Sequence, residues 1–487
     1  MGLRVQPMSD SSTRLCGPFV GGEPVAASDG KTRKLVNPAT EAVVGTVDGG
    51  GAGDVDEAVR DSRRAAGEWT ALAPPERGRI LQDVAAAIRE QQASLAELEA
   101  ADAGKPISGA ESEVESLARY FEYYAGITDK IGGETVPAGD AYLGYTRREP
   151  LGVTGHILPW NFPLLLFGRS VAPSVAAGNA TVVKPAGETP RTAVEAARIA
   201  VEAGLPPGVI NVVPGSGTDA GSALAGHEGI DCVSFTGSVP TGVAVGRAAI
   251  GNVNPVHLEL GGNGPNVVFP DADFENAVDN ALAAVFSNAG QVCSAGPRLL
   301  VHEDVHDEFL DELADRAAEI TLGPPMDDPD MGPLISETQY GTVRRSIDDA
   351  REAVGDPVVG GNVPDREGYF VEPTIFDDVP NDATIAQEEV FGPVLTVTTF
   401  AEEAEALALA NDTEYGLTAG IFTEDMGRAH RFARDVEAGV VYINEWFAAG
   451  VESPFGGTKN SGIGREAGEE AIRGYTQVKA VTGAIDR

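Results

Sequence analysis

Cysteine is nearly absent: 487 residues contain only Cys16, Cys232 and Cys293. So odd and sparse a set cannot build a disulfide framework and suits a reducing compartment, so any special cysteine here is a chemical one. Positive charge is also scarce. Lysine and arginine number 35 against 74 acidic residues, a formal charge of −39, and only seven of the 35 are lysine. That balance excludes nucleic acid as a default partner. No stretch reaches the roughly 20 uninterrupted apolar residues of a membrane-spanning helix. The opening MGLRVQPMSDSSTR has no apolar core followed by a small-residue cleavage site, so a cytoplasmic location is expected and no membrane is called for. Internal repeats, low-complexity blocks and long linkers are missing as well.

What is present is length enough for two or three domains and an ordinary 42% apolar content. Self-repulsion at −39 destabilises a compact state unless it is screened, and at about 1 M salt the screening length falls to roughly 3 Å. A salty cytoplasm is the natural setting, although an acidic mesophilic protein would look similar.

Alternation of apolar and turn residues sets out the elements. Residues 56–102 read as helices broken at Pro74-Pro75, and 133–156 as an extended hairpin. From 151 to 260, the buried-strand candidates ATVVKP, GVINVVPG and DCVSFTGS alternate with the helix candidates TAVEAARIAVEAG and TGVAVGRAAIG. A parallel sheet covered by helices follows. A second alternating stretch, from ENAVDNALAAVF through PRLLVHEDV to GVVYIN, reads as another α/β unit.

Two glycine-rich segments compete as phosphate sites. GSGTDAG at 215–221 has its third glycine one place late and reads better as a surface turn. SFTGSVPTG at 234–242 directly follows a strand and opens a helix. Gly237 there permits a tight turn, and the N–H groups of the helix beginning near Ser238 can face a pyrophosphate. A plain strand-to-helix turn is the alternative.

Three further segments carry chemistry. In ILPWNFP, 157–163, a proline-bounded turn fixes Asn161, whose amide N–H groups can donate to a developing oxyanion; a buried turn asparagine would fit equally. In LELGG, 258–262, Glu259 sits among apolar residues, where burial raises a carboxyl toward the range of a general base; a structural ion-paired glutamate is the alternative. In SNAGQVCSAG, 287–296, a Gly-Gln turn should expose the sulfur of Cys293, which needs a cationic or dipolar neighbour to attack quickly; an inert buried cysteine is the alternative.

Taken together with KPAGETP at 184–190, QEEVFGPV at 387–394 and SPFGGTKNSGIGRE at 453–466, all in order, these segments make the chain resemble the aldehyde dehydrogenase superfamily from about Gly17 to Val481. The resemblance implies a Rossmann-like cofactor domain from 1–128 and 150–260, an α/β catalytic domain from 261–460, and a β oligomerisation arm from 129–149 and 466–487. A homodimer or homotetramer is implied with it.

The activity it implies is NAD(P)-dependent oxidation of an aldehyde to a carboxylate. Cys293 would be the nucleophile, Asn161 the oxyanion donor, Glu259 the base that activates water, and Glu466 a second acid in a proton path. Pro159, Trp160, Lys184, Gly187, Gly237, Ser238, Gly261, Glu389 and Phe391 would line the dinucleotide site, and no metal is implied. Gly187 stands where NAD-preferring members often have glutamate, so NADP joins NAD as an expected cofactor, with a lean to NAD. Arg169-Ser170 stands where many members have a relay lysine; Arg169 would face a helix interface or bind an anionic substrate. Phe162, Phe167, Trp446 and Phe447 are expected near the substrate tunnel. Apolar or aromatic aldehydes, betaine aldehyde and carboxylated semialdehydes all remain open. A CoA-acylating relative and a non-catalytic dinucleotide binder are the alternatives, opposed by Glu259 and Cys293 respectively.

Overall fold

The computed structural model describes residues 15–28, 30–448 and 450–485. The amino-terminal stretch read above for a leader, 1–14, lies outside them, as do the last two residues of the expected arm. No helix among the described residues is long and apolar enough to cross a membrane.

Two open sheets organise the chain. The larger has eight strands, with a parallel centre ordered Val256–Glu259, Cys232–Thr236, Val153–Ile157, Ala180–Lys184 and Ile210–Val212. These central strands are almost wholly buried, as expected when helices cover both faces. Its edges are antiparallel: Phe19–Val20 and Glu23–Pro24 close one side, and Gly462–Ile463 closes the other by pairing with Val256–Glu259. The second sheet has six parallel strands, ordered Thr374–Phe376, Val394–Phe400, Arg298–His302, Pro265–Val268, Thr418–Phe422 and Val440–Ile443. Each sheet has its own apolar cluster, one built around Phe121, Phe167 and Ile210 and the other around Leu299, Phe309 and Phe376.

Helices Ala52–Ala71, Pro74–Glu90 and Gln92–Ala103 occupy the first helical region, and the break falls where Pro74 and Pro75 open a new helix. The expected hairpin is shorter than 133–156. Thr135–Val136 and Tyr142–Pro150 pair, but Gly152 at φ +131° turns the chain away, and Val153–Ile157 enters the large sheet. Glycine is required there because a Cβ would overlap the Asp231 carboxylate. Thr476–Ala484 completes this small sheet against Tyr142–Pro150. Residues just before it, Glu470–Gly474, form a helical turn rather than strand, because Ala471 and Ile472 pack into the core. Helices Ile107–Ala125 and Glu337–Val354 were not anticipated.

Candidate active site

Loops at the carboxyl ends of the parallel strands, the usual ligand edge of an open α/β sheet, converge with loops of the second sheet. After Val153–Ile157 the chain runs through Pro159, Trp160 and Asn161 into helix Pro163–Ala177. Asn161 is buried and its Nδ2 donates to the Gln291 carbonyl at 3.0 Å. This ties the first sheet's loop to the segment that carries Cys293. That segment is bent by Asn288 and Ala289, both left-handed at φ 50° and 54°, conformations uncommon for residues with a Cβ. Gln291 Nε2 donates to the Asn288 carbonyl at 3.0 Å, and Ile335 N donates to Gln291 Oε1 at 2.9 Å.

Cys293 follows this bend, but the sulfur is less open than the Gly-Gln turn suggested. The residue is half-buried, whereas Cys16 and Cys232 are buried, and burial pushes its thiol up to about 12, with Arg169 pulling the other way. Burial likewise raises Glu259 well above the ordinary carboxyl value, and the nearby Glu466 adds to the rise. Glu259 Oε2 has no hydrogen-bond partner. Glu466 reaches Glu259 because Gly462 pairs with Glu259 across the sheet edge, returning the 453–466 segment to the first sheet. Arg169 Nε donates to Glu466 Oε2 at 2.6 Å, and its guanidinium lies 4.4 Å from the centroid of Phe455. The charge of Arg169 is therefore committed to a buried carboxylate; it is not simply packed at a helix interface.

The remaining predicted residues lie in loops at the ends of the same two sheets. Gly237 N donates to the Glu259 carbonyl at 3.0 Å, and a Cβ at Gly237 would overlap the Phe235 ring. Ser238 stands at the N-cap of helix Val239–Ile250 without a side-chain capping bond, its Oγ donating instead to Thr241 Oγ1 at 3.0 Å. Glu389 Oε1 accepts from Gly262 N at 3.0 Å, burial pushes its carboxyl up to about 7, and a Cβ at Gly261 would overlap it. Trp160 and Phe391 meet edge to face at 5.3 Å. Lys184 Nζ donates to the Pro185 carbonyl at 2.7 Å and the Gly215 carbonyl at 3.3 Å, and burial pulls its ammonium down to about 8. The 215–221 segment is not the surface turn expected: Gly217–Gly221 is a helical turn that runs into Ser222–Ala225, and Gly215 before it accepts from Lys184. At Gly187 a Cβ would overlap the Arg33 guanidinium, which pairs with Glu188 at 2.5 Å.

Of the four aromatics expected at a tunnel, Phe167 is fully buried in the first core and lines no opening. Trp446 is also buried, its Nε1 donating to the Ser294 carbonyl at 3.1 Å, while Phe447 is exposed at φ 63°. Sequence reasoning missed Lys105, whose Nζ donates to the Asn161 carbonyl at 2.9 Å. The one signal available was a lysine between helices in a chain with only seven.

With this geometry in view, the comparisons are consistent. The family model described as the aldehyde dehydrogenase family matches residues 25–481. The betaine aldehyde dehydrogenase of Bacillus subtilis is 44% identical over 472 residues, covering 95% of this chain and 96% of that one. A solved NAD+ complex of an aldehyde dehydrogenase from Bacillus cereus superposes with a TM-score of 0.96 at 41% identity, covering 97% of both chains. The betaine aldehyde dehydrogenase of Staphylococcus aureus in complex with NAD+ gives 0.94 at 39%, covering 97% of this chain and 95% of that one. The chain belongs to the aldehyde dehydrogenase family. It is an oxidoreductase that oxidises aldehydes with NAD(P).

Proposed function

We propose that Cys293 carries the reaction as a covalent nucleophile, with Asn161 holding the oxyanion and Glu259 activating water. The observation that carries this reading is the convergence of three separate chain segments. Asn161 bonds the backbone two residues before Cys293, and Arg169, paired with Glu466, lies close enough to both Cys293 and Glu259 to bias their protonation.

When bound, the dinucleotide supplies the hydride acceptor. The tight turn at Gly237, the helix start at Ser238 and the half-buried Glu389 suit its phosphates and a ribose. Cys293 gives its thiol proton to water and adds to the aldehyde carbon, giving a thiohemiacetal whose oxyanion accepts from the Asn161 amide and the Cys293 N–H. Loss of hydride from that carbon leaves a thioester on Cys293. Glu259 then takes a proton from water, the hydroxide adds to the thioester carbonyl, and thiolate departs as the carboxylate product forms. Glu466, held by Arg169, stands beside Glu259 as the second acid of the proton path.

Lys184, Gly187, Pro159, Trp160, Gly261 and Phe391 complete the dinucleotide site in this reading. The open place at Gly187, filled by Arg33, removes a carboxylate that would repel a 2′-phosphate, so NADP is accepted beside NAD. The domain division at 1–128 with 150–260, and 261–460, follows the two sheets. The arm, with exposed Tyr142, Leu143, Tyr145 and Val478 on a sheet whose last strand is an open edge, supports assembly as a homodimer or homotetramer. A reducing cytoplasm fits three free thiols, and a halophilic source fits the charge of −39. An unchanged melting curve between dilute and multimolar salt would refute the halophilic reading.

The direct test is to purify the protein in concentrated salt, offer an aldehyde panel with NAD or NADP, and follow absorbance of the reduced cofactor with and without CoA. Turnover independent of CoA, with carboxylate released, is expected. Turnover that requires CoA would assign the acylating reaction instead.

A further inference from the structure

The loop that presents Asn161 is held from behind by a buried charged cluster. Lys105 lies between helices Gln92–Ala103 and Ile107–Ala125 with its ammonium buried. It pairs with Glu113, lies 3.7 Å from Glu99, and sits 4.5 Å from the centroid of Phe162. Its Nζ donates to the Asn161 carbonyl at 2.9 Å, and Asn288 Nδ2 donates to the same oxygen at 3.1 Å. Glu113 Oε2 accepts at 3.3 Å from Leu165 N in the first turn of the helix that follows Asn161. One ion pair thus grips the residue itself and the helix start behind it, and charged donors make the stronger hydrogen bonds.

The grip closes into a ring that spans both sheets. The turn at Gly104, φ +80°, packs so tightly that a Cβ there would overlap the rings of Pro38 and Pro333, and a Cβ at Gly332 would overlap the Gly104 carbonyl. Ile335, just beyond, donates to the Gln291 side chain, and the Gln291 carbonyl accepts from Asn161 Nδ2. Lys105 fixes the backbone carbonyl of Asn161, and the Gln291 carbonyl fixes one N–H of its side-chain amide. The other amide N–H has its direction set by those two constraints.

We propose that Lys105 is a positioning residue for the Asn161 carboxamide, holding its free N–H in line with the oxyanion that forms on the Cys293 adduct. This rests on the reading of Asn161 as oxyanion donor. The simpler role, neutralising Glu99 and Glu113, predicts loss of stability without a selective loss of chemistry.

The test uses Lys105→Met and the double variant Lys105→Met/Glu113→Gln, which keeps the wild-type net charge of the cluster and guards against misfolding. Each is compared with Asn161→Ala and with the Lys105→Met/Asn161→Ala combination. Two rates are read: single-turnover formation of reduced cofactor, which builds an oxyanion, and alkylation of Cys293 by iodoacetamide, which does not. A misplacement of about 1 Å can lower a rate by about 10²-fold, so a loss of about 10- to 100-fold in single turnover is expected in both Lys105 variants. Alkylation should change by less than about twofold, and Lys105→Met should add less than about twofold on the Asn161→Ala background, because coupled residues are not additive. Wild-type single turnover in the folded double variant, while Asn161→Ala is slow, overturns this inference alone. Multiplying losses, or alkylation falling in parallel, overturn it too by assigning Lys105 a general structural role. Unchanged single turnover in Asn161→Ala would remove the oxyanion reading and this inference with it.

Discussion

The three thiols sit in two kinds of surroundings. Cys16 and Cys232 lie in strands, Cys232 packed against Ala177 and Tyr475, whereas Cys293 follows a left-handed bend beside Arg169, Glu259 and Glu389. Yet all three are pushed up to about 12, chiefly by burial. Resting acidity does not separate the proposed nucleophile from the other two thiols. What separates it is the company of an amide donor and an unpartnered carboxyl; an arginine stands near Cys16 as well, where Arg191 pairs with Asp102. A thiol at about 12 is ionised in only about one molecule in 10⁵ at neutral pH, so its proton must leave as the site fills. An exposed, acidic cysteine is therefore the wrong search image for this site.

Replacing each thiol by alanine sharpens that contrast. Cys293→Ala should abolish aldehyde oxidation, a fall of at least about 10³-fold, while cofactor binding measured by calorimetry persists. Turnover by this variant would end the mechanism. Next in size, Glu259→Gln should slow thioester hydrolysis by about 10²–10⁴-fold. The pH dependence has a definite sign. Burial holds the Glu259 carboxyl protonated above its usual range, so the base form grows as pH rises, and hydrolysis should climb on the alkaline side before levelling off. The steady-state phase that follows the burst in stopped-flow traces, where hydrolysis sets the rate, should show that limb in the wild type and none in the Gln variant. Asn161→Ala should lower single-turnover hydride transfer by about 10²–10³-fold. Smallest of all, Cys16→Ala and Cys232→Ala should leave kcat within about twofold, while melting falls by the equivalent of about 1 kcal/mol for each small buried group lost. A kcat loss in either would show that the two settings are not as distinct as the structure makes them.

Much of the fold was legible because its signals are local. The strands at 180–184, 210–212 and 232–236 announce themselves as short apolar runs between turns, and Pro74-Pro75 marks a helix start. The motif residues of the site were legible for the same reason, each lying in a compact segment with its own turn chemistry. What stayed hidden is non-local. Nothing near Gly462 says that it pairs with Glu259 some 200 residues earlier, and that pairing is what brings Glu466 to the site. The Arg169–Glu466 bond and the Lys105 grip on Asn161 depend on helix packing in the same way. Of the three cysteines Cys293 alone is not buried, in line with the turn before it, though it is half-covered rather than open.

The central claim is a covalent bond between substrate and one sulfur atom. Glu259→Gln incubated with aldehyde and NAD, quenched in acid and digested, should yield the Cys293 peptide heavier by the acyl group, in step with reduced cofactor formed. An unmodified Cys293 peptide alongside a full equivalent of reduced cofactor would contradict it.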